Sequence, residues 1–419
     1  MNDFASSRPT PTRADSRGPA AARRAALACM VALAVVIGVG RFAFTPLLPL
    51  MLHGGSLDLR HGGWLASLNY AGYFLGAITC VALRFQPAKI VRVGLATTVL
   101  LTLAMGITQQ FWIWAVVRFV SGVVSAWTFV FASQWGLRRL AELSAPEWGG
   151  VIYTGPGFGI IATGLLVSVA GGLGATAGWI GFGLISAVLA VVVWPVFGSE
   201  PGQSRAAGTS QTIKQPEPAP AARPVPAEAH ANGRRADAFW LTLLYGVPGF
   251  GYIITATFLP VIARHALPGS AWPDLFWPMF GAALIVGALG GGRLPMHWDN
   301  RLMLAGSYVL QAIGIGLGIV WPNVAGFAFG SILIGLPFTA ITLFAMREAR
   351  VLRGERAAAL MGYATGAYGI GQIAGPLVAA PLAASTGSFS PSLGLAALAL
   401  LAGAAGLVWR TRVSKHVAA

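Results

Sequence analysis

Arg41 and Arg118 are the residues of this chain whose chemistry stands out, because each places a full charge inside a stretch of otherwise apolar side chains. Arg41 lies in Gly38-Val39-Gly40-Arg41-Phe42-Ala43-Phe44-Thr45-Pro46-Leu47-Leu48-Pro49, within an apolar run from Leu27 to Leu52 that is long enough to cross a bilayer. A charge at membrane depth costs roughly 2.5–3.5 kcal/mol on insertion scales unless it meets a cavity or a partner, which makes each arginine a candidate functional site. A guanidinium carries its donors in a rigid fork that matches a carboxylate or phosphate. Two of them would form a clamp for an anion. The alternative for each is to cap backbone carbonyls or to hold a neighbouring helix.

Polar residues gather around the same level. Asn69, Tyr70 and Tyr73 share one helical face, and Thr365, Tyr368 and Gln372 follow at i, i+3 and i+7 on another. Such stripes either line a solute path or join helices through hydrogen bonds worth about 0.6 kcal/mol per pair. All 13 Asp and Glu fall in tails, loops or helix ends, so the apolar interior holds two cations and no carboxylate. Unpaired cations in a cavity favour an anionic ligand. Asp274, near the start of an apolar run, comes closest to depth and is the weak candidate for coupling transport to a proton.

The elements that must position these groups are legible from hydropathy. The chain has 419 residues, 56% hydrophobic and only 10% charged, with a mean hydropathy of +0.69. Soluble domains carry about 25% charged residues, so this is a polytopic membrane protein. Twelve apolar segments are expected near 27–52, 62–84, 90–108, 111–136, 149–171, 178–197, 238–263, 272–292, 302–320, 323–346, 357–383 and 392–409. The net charge of +15 would suggest nucleic acid in a soluble chain. Here the Lys and Arg fall in alternate loops, which is the bias of cytoplasmic loops and excludes a nucleic-acid footprint. That bias puts both termini inside. Residues 1–24 read as a disordered cytoplasmic tail, residues 198–237, rich in Pro and Ala, as a solvated cytoplasmic linker, and residues 411–419 as a second tail.

Cys29 and Cys80 both lie in apolar runs and form no framework. The histidines sit in loops or tails without metal-ligand spacing, and neither a phosphate-binding Gly-Lys-Ser/Thr loop nor a nucleophile elbow is present. An enzyme is therefore not expected, nor a metal or cofactor.

The linker divides the spans six and six, and the halves repeat at an offset of 211. Gly38-x-Gly40-Arg41 ending in Leu48-Pro49 matches Gly249-x-Gly251-Tyr252 ending in Leu259-Pro260, and Thr154-Gly155 and Gly164 match Thr365-Gly366 and Gly375. Tyr252 thus takes the place in span 7 that Arg41 holds in span 1. Parallel six-span repeats with a midplane site at their interface are a transporter pattern.

On these residues the chain resembles the major facilitator superfamily over residues 25 to 410. The stretches Gly38 to Pro49, Trp64 to Tyr73 and Tyr153-Thr154-Gly155-Pro156-Gly157-Phe158-Gly159 resemble the YbfB/YjiJ-type family within it. The resemblance implies an all-α membrane protein with 12 transmembrane helices in two pseudo-symmetric bundles, 25–197 and 238–410, and spans 1, 4, 7 and 10 lining a central cavity. Arg41 and Arg118, about 16 and about 12 Å from the outer surface by helical rise, would then face one site. Tyr252, Gln372, Asn69 and Tyr73 join them as candidate substrate contacts. Pro46, Pro49, Gly155, Pro156, Gly159, Gly371, Gly375 and Pro376 are the candidate hinge and rocking residues. Gly155-Pro156-x-x-Gly159 resembles part of an antiporter motif. Between spans 2 and 3, Arg84 to Lys89 keeps basic residues but lacks the superfamily's aspartate.

The expected function is secondary transport of a small, anionic organic solute across the bacterial inner membrane, by a monomer, with a proton or counter-anion as coupling partner. A proton-coupled exporter of drugs or metabolites is the alternative within the class. A non-transporting membrane receptor or assembly factor is the alternative outside it.

Overall fold

In this computed structural model the described residues are 17–82, 85–198, 227–291, 293–295, 297–354 and 357–418. The expected disordered tail up to residue 16, the Pro-rich part of the linker and Arg84 lie outside them. Among the described residues every regular element is helical. Ten stretches are long and apolar enough to cross a membrane; one of them, Pro146–Phe197, holds two helices divided at Gly171–Leu173. Leu59–Thr79 adds another helix of 21 residues, so the helices are consistent with twelve spans.

Several helices outrun the apolar segments. Span 1 starts at Arg17 inside the expected tail, span 7 is one helix over Ala227–Ala266 that takes up the end of the expected linker, and span 12 covers Ser390–Ala418 through the expected second tail. Hydropathy measures only the apolar thickness, whereas Ala, Arg and Glu sustain a helix past it into water. The sequences Ala20-Ala21-Ala22-Arg23-Arg24 and Ala227-Glu228-Ala229 are of that kind.

Three spans are interrupted. Span 1 runs Arg17–Leu33, then a π-helical Ala34–Val39, then Phe44–His53 after a turn. Span 5 breaks between Gly149–Ile152 and Gly155–Ala170, and span 10 between Val324–Gly335 and Phe338–Arg353. Each break lies beside a proline, Pro46, Pro156 or Pro337, which withdraws an N–H from the helix ladder.

The two halves of the repeat touch at equivalent positions. Thr45 Oγ1 donates to the Ala256 carbonyl at 2.8 Å, and these residues are 211 apart, the offset of the repeat. Within each half glycines draw the first and fifth spans together: a Cβ at Gly38 would collide with Gly159, and one at Gly371 with the Gly246 and Gly249 backbone. The hinge glycines Gly155, Gly159, Gly371 and Gly375 therefore pack inside their own bundles. The close approach between bundles falls to neighbours instead. Gly157 meets Gly281, Gly164 meets Pro278, and Gly63 meets Ala380 and the Pro376 carbonyl. A helical glycine two residues away faces the opposite side, so Gly157 meets the other bundle while Gly155 and Gly159 face their own.

The start of span 1, the end of span 6, the start of span 7 and the end of span 12 lie on one side, called the linker side, and the Gly54–Asp58 loop lies at the opposite end of span 1. On the linker side Asp237 accepts from Arg301 Nη2 at 2.9 Å and from Arg410, while Arg301 Nε donates to Glu348 at 2.6 Å. This nearly buried network ties spans 7, 9, 10 and 12. Asp299 caps span 9, accepting from the N–H groups of Arg301 and Leu302.

Candidate functional site

The break in span 1 creates the site. In an unbroken helix the Pro46 nitrogen would donate to Phe42 and the Thr45 N–H to Arg41. Pro46 cannot donate, and the Thr45 N–H turns to Phe42 at 3.2 Å. The carbonyls of Gly40 and Arg41 are left for other donors. Span 4 supplies them: Arg118 Nη1 donates to Gly40 at 3.3 Å, Arg118 Nη2 to Arg41 at 3.2 Å, and Ser121 Oγ to Gly40 at 2.9 Å. One turn further on, Ser125 Oγ donates to Val36 in the π-helical segment at 2.9 Å.

In this conformer the two guanidinium groups, expected to share one solute, take different partners. Arg118 is 2% exposed, its Nη1 and Nη2 serve the span 1 backbone while its Nε has no partner, and its guanidinium lies over Phe44, with Cζ 4.7 Å from the ring centroid. Asn69 is fully buried and its Nδ2 donates to the Arg118 carbonyl at 2.9 Å, which joins spans 2 and 4. Asp274, the coupling candidate, pairs with Arg264 at 2.6 Å where span 7 ends and span 8 begins.

Arg41 behaves differently. The turn over residues 40–43 releases its side chain toward the other bundle, where Nη2 donates to Gln372 Oε1 at 2.9 Å. Gln372 Nε2 donates in turn to Tyr252 Oη. The chain Arg41–Gln372–Tyr252 thus crosses the interface through the two places equivalent in the repeat. Tyr73 lies under the guanidinium at 4.1 Å from Cζ, Tyr70 at 5.0 Å and Phe42 at 5.3 Å, contacts that favour a cation over an aromatic face. Arg41 is 5% exposed, its Nε has no partner, and among the described residues no carboxylate lies within 4.0 Å of it.

Hydrogen bonds between the bundles are few and lie from this level toward the 54–58 loop side. Besides Arg41–Gln372 and Thr45–Ala256, Tyr70 Oη pairs with Thr257 Oγ1 at 2.9 Å and Ser67 Oγ donates to Ile373 at 2.8 Å. Toward the linker side the stripe on span 11 opens step by step: Gln372 is 4% exposed, Tyr368 half-buried and Thr365 exposed. Sequence reasoning did not single out Tyr245. Its ring stacks on Tyr368 with centroids 5.0 Å apart, and the i, i+7 spacing of Tyr245 and Tyr252 on span 7 carried that signal.

Comparison with solved structures gives the class. The chain is similar to a point mutant of the nucleoside transporter NupG, with a TM-score of 0.71 and 13% identity, covering 92% of this chain and 99% of that one. A second NupG structure matches with a TM-score of 0.62 and 14% identity, over 93% and 99%. At such identity the likeness establishes the major facilitator fold and nothing about cargo. A comparison with curated proteins gives no match. The family follows from the sequence: the model described as an uncharacterised major-facilitator-type transporter YbfB matches residues 33–408. The chain belongs to this YbfB-type family of transporters.

Proposed function

We propose that this protein is a secondary transporter that moves a small organic anion across the bacterial inner membrane by alternating access, with Arg41 as the anion contact. The observation that carries this reading is the Arg41–Gln372 bond. A buried guanidinium with an unpartnered Nε is held across the bundle interface by a neutral acceptor, not by a carboxylate. A carboxylate entering from the linker side makes charge-assisted bonds to Arg41 that are roughly twice as strong as the neutral one. It displaces Gln372, and with it one of the bonds that close the loop side. Ligand binding and separation of the bundles become one event, as a carrier requires.

The Lys and Arg bias of the loops supports a cytoplasmic linker side, with both termini inside. The conformer described here is then closed toward the outside. Tyr252 and Gln372 read the rest of the solute from the second bundle, and Arg118 and Asn69 hold the broken span in position. A monomer suffices, because the site lies between two halves of one chain. The aromatic faces around Arg41 also fit proton-coupled export of amphipathic compounds, in which case the arginine only braces the interface.

Flux in liposomes made with the purified protein tests the reading. Uptake of an organic anion by counterflow, lost in Arg41→Gln, supports it. Flux of lipophilic cations abolished by an uncoupler and unchanged in Arg41→Gln supports export instead. Absence of any solute flux would return the receptor or assembly-factor reading.

A further inference from the structure

The groups around Arg41 carry more than a charge preference. Tyr245, Tyr368 and Tyr252 rise as a column of near-parallel rings, with centroids 5.0 and 6.0 Å apart and planes 26° and 23° from parallel. Phe338 meets Tyr252 edge-on at 5.0 Å. From Phe338 the contacts continue through Phe280 to Trp277, whose planes lie 1° apart at 5.2 Å, and on to Phe42 beside Arg41. Arg41 is therefore enclosed by aromatic rings from both bundles. Tyr73 and Tyr368 are the half-buried members of this enclosure.

The polar equipment is sparse by comparison. Gln372 Oε1 is engaged by Arg41 and Tyr252 Oη by Gln372. A polyhydroxyl solute would find only Gln372 and the Tyr252 hydroxyl beside Arg41, too few for its several hydroxyls, and an organic cation would meet a guanidinium over the tyrosine faces it needs. A flat ring bearing a carboxylate satisfies both parts of the site. Its anionic group takes the Arg41 fork, and its ring packs against Tyr73 and Tyr368.

We infer that the solute is an aromatic or heteroaromatic carboxylate; this rests on the anion reading above and names the class within it. Aromatic pairs add to plain area burial by an amount that corresponds to about twofold to tenfold in affinity. The experiment is calorimetric titration of the detergent-purified full chain with benzoate and phenylacetate, each beside its saturated ring counterpart, cyclohexanecarboxylate or cyclohexylacetate. Variants Tyr368→Leu, Tyr368→Phe and Arg41→Gln are titrated in parallel after passing size exclusion as the wild type does.

The aromatic acids are expected to bind about threefold to tenfold tighter than their saturated counterparts. Tyr368→Leu removes that preference, Tyr368→Phe keeps it, and Arg41→Gln loses both series. Equal affinities within each pair in the wild type, still lost in Arg41→Gln, would overturn the aromatic class and leave the anion reading standing. A preference that survives Tyr368→Leu would also overturn it. Carboxylates that fail to bind the wild type, or bind Arg41→Gln equally well, would remove the anion reading and this inference together.

Discussion

Replacing Arg118 by Met separates a structural arginine from one that touches solute. The two carbonyls it serves are unequal: Gly40 keeps a second donor in Ser121 Oγ at 2.9 Å, whereas Arg41 depends on Arg118 Nη2. Methionine has a comparable apolar stem, so the main change is one buried carbonyl left without a donor. An unsatisfied buried acceptor costs about 1–3 kcal/mol, and reversible unfolding in mixed micelles should register a loss of that size. Arg118→Lys, with a single ammonium able to reach the Arg41 carbonyl, should recover about half of it. Anion affinity should fall only modestly, because Arg41 shifts without losing its charge. Wild-type stability in Arg118→Met together with abolished anion binding would refute the reasoning and return Arg118 to the solute.

Other perturbations probe the rest of the account. Asp237→Ala takes its carboxylate partner from Arg410 in a nearly buried network, while Arg301 keeps Glu348, and removing one side of such a pair should cost about 3–5 kcal/mol in the same unfolding assay. Gly281→Leu drives a side chain into Ile160 and the Gly157 carbonyl across the interface. Counterflow should fall far more than folded yield, since each bundle packs without that contact. Asp58 caps span 2, and the His61 backbone N–H donating at 2.7 Å holds its carboxyl below the usual range. A lowered folded value means the cap contributes fully above about pH 4 and is lost as pH falls through it. Asp58→Ala should therefore lower stability at pH 7 by about 0.5–2 kcal/mol, with the difference from wild type shrinking in acid.

The sequence made the membrane class, the six-and-six division and the repeat legible because hydropathy and a fixed offset need no tertiary information. The contact between Thr45 and Ala256 at the same offset of 211 shows that the repeat describes space as well as sequence. What the sequence hid is where two long side chains point. Arg41 and Arg118 lie at similar depth in spans expected to face one cavity, yet helical periodicity fixes only the azimuth of the Cα–Cβ bond, and an arginine reaches across a neighbouring helix. Their division of labour depends on the break in span 1. Pro46 was visible, but the shift of the Thr45 N–H to Phe42 and the resulting demand for donors from span 4 were not. Asp274 was read by its depth along the chain, while its partner Arg264 sits at the end of the preceding helix, a pairing that only the turn between them creates.

The central claim is that Arg41 holds the anionic group of the solute. A thermal-shift screen of the purified protein against organic anions, sugars, amines and lipophilic cations, repeated with Arg41→Gln, tests it most directly. A ligand at about 100 Kd stabilises the folded state by roughly 2.7 kcal/mol, enough to stand out. The account predicts that anions alone stabilise the wild type and that Arg41→Gln loses the effect while remaining folded. Stabilisation of both forms equally by lipophilic cations, with none by anions, would contradict it.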